Sequence, residues 1–340
     1  VLRGSVSLAP IGNTTFGRNR KRITKQHETE DKSHEDEEMS IGDLARKFLS
    51  ADTVASLSRA KKKLERAKIS RRPALSEIDF AKILTDDLRL NTGDTVFVHS
   101  SIDRLNLDFP FYRILSLLRN AIGPKGTLLF PTYPNHRISS YEYLRQGKVF
   151  DVRRTPSYIG LLTEFARRQR EAMRSLHPTK SVCALGPLAE ELTATHHQSP
   201  YPYDVGSPYY KLVEHNAKII GLGVWTFNLS FVYCIDDALK ESAPVRTYHP
   251  ETFAAECINH AGESQVVETY VHDSRIVDTH DVPRYMKEHI PTEVCEDLEL
   301  NGMKFFRADA APLFATMLRL AKEGTTVYPR SVYSKQSPGQ

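Results

Sequence analysis

The spacing of apolar positions switches between two periods along the chain, and each switch marks an element. Asp94-Thr95-Val96-Phe97-Val98-His99 is a short apolar run with β-branched residues, which predicts a buried strand ending at Ser100-Ser101. Residues 111–122 place their apolar side chains at helical spacing, and Gly123-Pro124 supplies the stop. Thr127-Leu128-Leu129-Phe130 predicts a second strand, ended by Pro131. Strand, helix, strand with short connections is the pattern of a parallel α/β sheet. A helix is expected before this unit, where Ser76 stands as an N-cap three residues ahead of Asp79 and Ile78, Ile83, Leu84 and Leu88 form the apolar side. Beyond it, helices are expected over 159–168, 187–195 (with Pro at the first turn), 207–214 and 311–322, and strands over 180–185 and 266–271.

One stretch departs from simple patterning. Ile219-Ile220-Gly221-Leu222-Gly223-Val224 has strand character and ends in glycines, and helical spacing begins near Asn228. In that helix the polar residues Ser230, Tyr233 and Asp236 recur every third position, so they share a face. A hydroxyl, a phenol and a carboxylate so aligned suit acyl-transfer chemistry, and equally suit a capped helix whose Tyr packs.

The pattern weakens at the N-terminus. Residues 1–40 combine a basic patch, Arg18 to Lys25, with an acidic run from Glu28 to Glu38 and few bulky apolar residues, which predicts disorder. Residues 41–72 read as a charged helical arm or linker that would dock or assemble into a homo-oligomer. The compact domain is expected over 73–326, followed by a flexible tail over 327–340. Within it, 134–157 is a long irregular section of the kind that forms lids and binding loops.

Composition narrows the classes. A net charge of +4 is too small, and the basic run too short and too close to an acidic one, to argue for nucleic acid. No apolar run reaches the length of a membrane span, and the first residues lack the apolar core of a secretory signal, so a cytoplasmic location is expected. Cys183, Cys234, Cys257 and Cys295 have no C-x-x-C spacing, which predicts buried free thiols and no metal site. The adjacent His196 and His197 diverge on a helix, so capping is expected there before metal binding.

Short motifs then occur in a recognisable order: His99-Ser100-Ser101, Gly123-Pro124-Lys125-Gly126-Thr127-Leu128, Pro131-Thr132 and Thr155-Pro156-Ser157-Tyr158-Ile159-Gly160. Arg174-Ser175-Leu176-His177-Pro178-Thr179-Lys180-Ser181-Val182, Gly206-Ser207-Pro208-Tyr209 and Gly221-Leu222-Gly223 follow. From about 94 to 237, and weakly again over 302–320, the chain resembles the aminoglycoside 3-N-acetyltransferase family. The resemblance implies an α/β fold with a mixed, largely parallel sheet flanked by helices, and long substrate loops. It also implies acetyl-CoA as co-substrate, and a small-molecule amine of an aminoglycoside or amino sugar as acceptor.

CoA carries phosphates and a long polar arm, so it calls for hydroxyls, cations and backbone N–H groups at strand ends. Ser100, Ser101, Ser157, Arg174 and Ser175 meet that description as cofactor-binding candidates, although each serine also suits a cap or strand end. His177 is a candidate base, or a buried ring that fixes its loop. The family typically reads Thr-x-x-His-x-x-Glu where this chain has Ser230, Tyr233 and Asp236, so the hydroxyl and carboxylate are kept and the base is not. A phenol is protonated at neutral pH, which leaves three readings: Tyr233 donates or positions, His177 takes over as base, or catalysis is lost and the domain binds. The loop residues His136, Arg137, Arg145, Lys148, Arg153 and Arg154 outweigh Glu142 and Asp151, a balance that suits phosphates or an anionic acceptor better than a polycation.

Overall fold

The computed structural model describes residues 66–135 and 138–333, together with the single positions Ser56, Ala60 and Leu64. They lie in one compact unit, 49–340. The expected tail over 1–40 and most of the arm over 41–72 lie outside the described residues.

Ten strands form two sheets: β1 Thr95–Ser100, β2 Thr127–Pro131, β3 Phe150–Asp151, β4 Met173–Arg174, β5 Val182–Leu185, β6 Lys218–Leu222, β7 Tyr248–Ile258, β8 Ser264–His272, β9 Cys295–Leu300 and β10 Met303–Asp309. The main sheet has the order β4-β5-β2-β1-β6-β10-β9. Its centre is parallel, β1 pairing with β2 and β6, while the wings at β5, β4, β10 and β9 join antiparallel. The mixed α/β class expected from the sequence is therefore observed, but only the central strands are parallel. The wings turn antiparallel because β9 and β10 are a hairpin, with Asn301 and Gly302 both at positive φ in the turn, and β4 and β5 are joined by a short loop.

Both faces of the central strands are covered, which is why they read as unbroken apolar runs. Val96, Val98, Leu128, Phe130, Ile220 and Leu222 pack on one face with the helices Glu77–Lys82, Arg113–Ile122 and Leu161–Arg167. Phe97, Leu129, Ile219 and Phe306 face the other way, under Pro208–Glu214, Val282–His289 and Ala310–Lys322. The second sheet, β3-β7-β8, closes over its own small core of Phe150, Val152, Leu176, Ala255, Cys257 and Val267.

Two expectations change here. The section 134–157 contains a helix, Ser140–Arg145, started by a complete Ser139–Glu142 capping box, and strand β3. The packed region also continues past 326, because Val327, Tyr328 and Val332 are buried. None of the described helices is long and apolar enough to cross a membrane.

Candidate active site

Parallel strands β1, β2 and β6 end side by side, and the crevice beyond their carboxyl ends is where α/β sheets place ligands. Two glycines let the chain come this close. A Cβ on Gly221 would fall 2.1 Å from the Phe306 ring, and one on Gly223, at φ +75°, would fall 2.4 Å from the Ser101 carbonyl oxygen. Ser101 N–H donates to the Leu222 carbonyl at 2.8 Å, which ties the ends of β1 and β6 together. Trp225 follows, with Lys304 Nζ 3.9 Å from its ring centroid.

At the end of β1, Ser100 Oγ and His99 Nε2 are buried without a partner. Burial pushes the His99 imidazole down to about 3, so the ring is neutral. Ser101 Oγ donates to Asp103 Oδ1 at 2.7 Å. Ser157 is buried; its N–H donates to Glu164 Oε2 and its Oγ accepts from Ile159 N–H at 3.5 Å, while Gly160 is the residue that precedes the helix.

The segment after Gly223 is a 3-10 turn, Ser230–Tyr233, running into a short α-helix, Cys234–Leu239. In the tighter turn residues three apart eclipse, so the expected face survives without a continuous α-helix. Ser230, Tyr233 and Asp236 are the partly exposed positions, while Phe231, Val232, Cys234 and Ile235 between them, and Asp237 after them, are buried. Tyr133, two residues beyond β2, lies with its hydroxyl 3.4 Å from Ser230 Oγ and 2.7 Å from the Tyr209 hydroxyl, which in turn donates to the Lys180 carbonyl. These bonds join the polar face to the strand ends.

Tyr233 packs against the rings of Tyr203 and His272, at centroid distances of 5.3 and 4.5 Å. Burial first, and the Asp236 charge second, push its phenol well above the ordinary value, so it stays protonated. Its hydroxyl does not bond Asp236. It lies 3.5 Å from His280 Nδ1, at the outer limit of a hydrogen bond. The His280 N–H donates to the Val277 carbonyl at 3.3 Å, burial lowers the pKa of the ring, and its Nε2 is buried without a partner. Asp236 Oδ2 accepts from the Tyr328 hydroxyl at 2.8 Å, and burial raises its carboxyl to about 7. The neighbouring Asp237 is fully buried, accepting from the Tyr248 hydroxyl and Tyr203 N–H at 2.7 Å each.

Other expected site residues are held elsewhere. His177 is buried in the core: its Nδ1 accepts from Thr179 N–H and Lys180 N–H, and its Nε2 lies 3.2 Å from Thr269 Oγ1. With both ring nitrogens bonded and burial driving its pKa well down, it cannot serve as the base, and it matches the loop-fixing alternative. Ser175 Oγ bonds His196 Nδ1 at 2.7 Å and accepts from Val182 N–H, so it belongs to the same interior network. His196 is accordingly an interior residue, its Nε2 bonded to the Pro202 carbonyl, and caps no helix. Arg174 is buried with its guanidinium spent on the Thr132 and Thr155 carbonyls and the Thr132 and Ser181 hydroxyls, over the Phe150 ring. Of the cofactor candidates, then, Ser100 ends β1 and Ser101 and Ser157 lie on loops beyond the strand ends, whereas Arg174 and Ser175 are spent on internal bonds.

His280, His272 and Asp237 were not singled out from the sequence. Asp237 stands directly after Asp236, so the double carboxylate was a usable signal, but His280 reaches Tyr233 across 47 residues and had none. The four cysteines are free and buried. No cluster of metal-ligating side chains is found among the described residues.

Comparison with known proteins adds an independent line. A family model described as aminoglycoside 3-N-acetyltransferase matches residues 97–321. Aminoglycoside N(3)-acetyltransferase III from Salmonella sp is 33% identical over 159 residues, 42% of this chain and 54% of that protein. The chain thus spans about half the length of the curated relatives it matches. Among solved structures, aminoglycoside acetyltransferase AAC(3)-Xa superposes with a TM-score of 0.64 at 21% identity, over 78% of this chain and 99% of that one. AAC-IIIb in binary complex with CoASH gives a TM-score of 0.60 at 22% identity, over 76% and 100%.

Proposed function

Because the chain belongs to the aminoglycoside 3-N-acetyltransferase family, we propose that it is an acetyl-CoA-dependent N-acetyltransferase acting on an amine of an aminoglycoside-like or amino-sugar acceptor. The observation that carries this reading is the Ser230, Tyr233, Asp236 face at the strand ends, with the His280 imidazole beside the phenol. The buried, unpartnered Ser100 Oγ at the end of β1 fits a hydrogen bond to a ligand in the crevice. Ser100, Ser101 and Ser157 would hold acetyl-CoA, which supplies the activated acetyl group.

The chain's own residues then divide the proton work. An amine attacks as the neutral base, so a group must take its proton, and the His280 imidazole, beside the Tyr233 phenol and with no internal partner on Nε2, is the group assigned that role. Tyr233, locked as a phenol, donates a hydrogen bond to the oxygen that becomes negative as nitrogen adds to the thioester. Ser230 offers a second hydroxyl on the same face. Asp236, raised to about 7, can hold or release a proton near neutrality and so replenishes the face without being the first acceptor.

A second reading is supported by one specific residue. Tyr233 stands where the family has its His, which supports reading the domain as a binding module whose catalysis is lost. Thiol release from acetyl-CoA over a panel of amines separates the two. The enzyme reading expects release by the wild type and a loss of about 100-fold or more in His280→Gln. Binding of acetyl-CoA with no release, and release gained in Tyr233→His, identifies the binding module. Absence of any acetyl-CoA binding overturns both.

A further inference from the structure

Away from the crevice, edge strand β4 forms one wall of a second cavity, of about 520 Å³, a size common for small-molecule sites. Its lining holds Arg153, Arg167, Arg168, Arg170 and Arg174 and not one carboxylate, with His260 at the tip of the β7–β8 hairpin. The nearby carboxylates, Glu164 and Asp151, lie outside the lining and are outnumbered by its arginines, and Asp151 is taken up by the Arg153 and Arg154 N–H groups and the Arg154 side chain. Arg167 and Arg168 share a single carboxylate, Glu164, which lies outside the lining. Arg174 is bonded only to neutral oxygens, and burial, with Arg167 adding repulsion, draws its pKa down to about 9. The Arg153 and Arg170 side chains are exposed and have no partner among the described residues.

Two guanidinium groups without such partners, beside a buried third that is bonded only to neutral oxygens, form an arrangement completed by an anion. Planar arginine forks match tetrahedral phosphate oxygens, and the enclosing walls strengthen each bond. We propose that this cavity is a phosphate-binding site, gripped from the rim by Arg153 and Arg170. The phosphate has two candidate sources, the co-substrate CoA or a nucleotide-linked amino-sugar acceptor. Naming those sources rests on the acetyltransfer reading; the phosphate site itself does not.

Isothermal titration of the full chain with pyrophosphate, at constant ionic strength, tests it. Wild type should bind saturably, and Arg153→Glu/Arg170→Glu should bind about tenfold more weakly or worse. The neutral pair Arg153→Gln/Arg170→Gln, with far-UV circular dichroism on each variant, separates lost binding from lost folding. CoA and UDP-glucosamine form the source arms. A parallel loss of CoA affinity assigns the phosphate to the co-substrate, and a loss confined to UDP-glucosamine assigns it to the acceptor. No pyrophosphate binding by wild type, or equal affinity in wild type and folded variants, overturns the site. Pyrophosphate binding without acetyl-CoA binding would instead remove the acetyltransfer reading and leave the site standing.

Discussion

Asp236→Asn turns the polar face into a measurable stability term. In the folded chain burial raises the Asp236 carboxyl from its ordinary 3.8 to about 7, against the opposing hydrogen bonds from Tyr328 and Thr247. A carboxyl raised on folding binds its proton more tightly in the native state than in the unfolded one. Between pH 4 and 7 the native state therefore holds more protons, and its stability falls as pH rises. The stability is fully present below about pH 4, is lost through the folded value near 7, and is constant above it. Three pH units at 1.36 kcal/mol each give about 4 kcal/mol as the full span. Asparagine keeps a carbonyl to accept from the Tyr328 hydroxyl and removes the ionisation. Urea unfolding of wild type and variant at several pH values from 4 to 8 isolates this group, because contributions from buried histidines such as His99 and His177 cancel in the difference. The variant should gain on the wild type by about 4 kcal/mol between pH 4 and 8. Curves that stay parallel to within about 1 kcal/mol would refute the assignment.

Three further outcomes follow from single contacts. His177→Leu should lower stability by about 1–3 kcal/mol, since Thr179 N–H and Lys180 N–H lose their acceptor in the interior; an unchanged urea midpoint would show those groups are solvated. Gly221→Ala should cost at least about 1–3 kcal/mol, because its methyl must displace the buried Phe306 ring and approach the Val224 carbonyl; a neutral effect would mean the strand ends are looser than drawn. No thiol should react promptly with Ellman's reagent in the native protein, and all four should react in urea, because burial raises Cys183 and Cys257 to about 12 and lifts Cys234 well above its ordinary value. One rapidly reacting native thiol would contradict that packing.

Much of the fold was legible because the central strands are covered on both faces and so appear as plain apolar runs. The strands 95–100, 127–131 and 218–222 and the helices between them stand close to where spacing put them. The antiparallel wings were less visible. β7 carries an exposed run at 250–252 and further exposed positions at Ala254 and Glu256, and β9 exposes Asp297 and Glu299, a pattern that looks like loop composition. The Asn301-Gly302 pair was nonetheless a legible hairpin signal for β9 and β10. The site was half legible. A three-residue spacing survives a change from α to 3-10 winding, so Ser230, Tyr233 and Asp236 share their face. Arg174, Ser175 and His177 look like a ligand-binding run, because a buried hydrogen-bond network and a cofactor site call for the same polar residues. Only contacts far apart in sequence, such as His280 with Tyr233, tell which network a residue joined.

Trp225 gives the crevice a practical property. It is the single tryptophan of the chain and sits two residues beyond Gly223, under the Lys304 ammonium group. Long-wavelength excitation therefore lights one point of the molecule, next to the strand ends, with no second indole to dilute the signal. A ligand entering there, or a movement of Lys304 off the ring, would change emission colour or intensity directly. The molecule carries its own optical gauge of the place where its chemistry is expected.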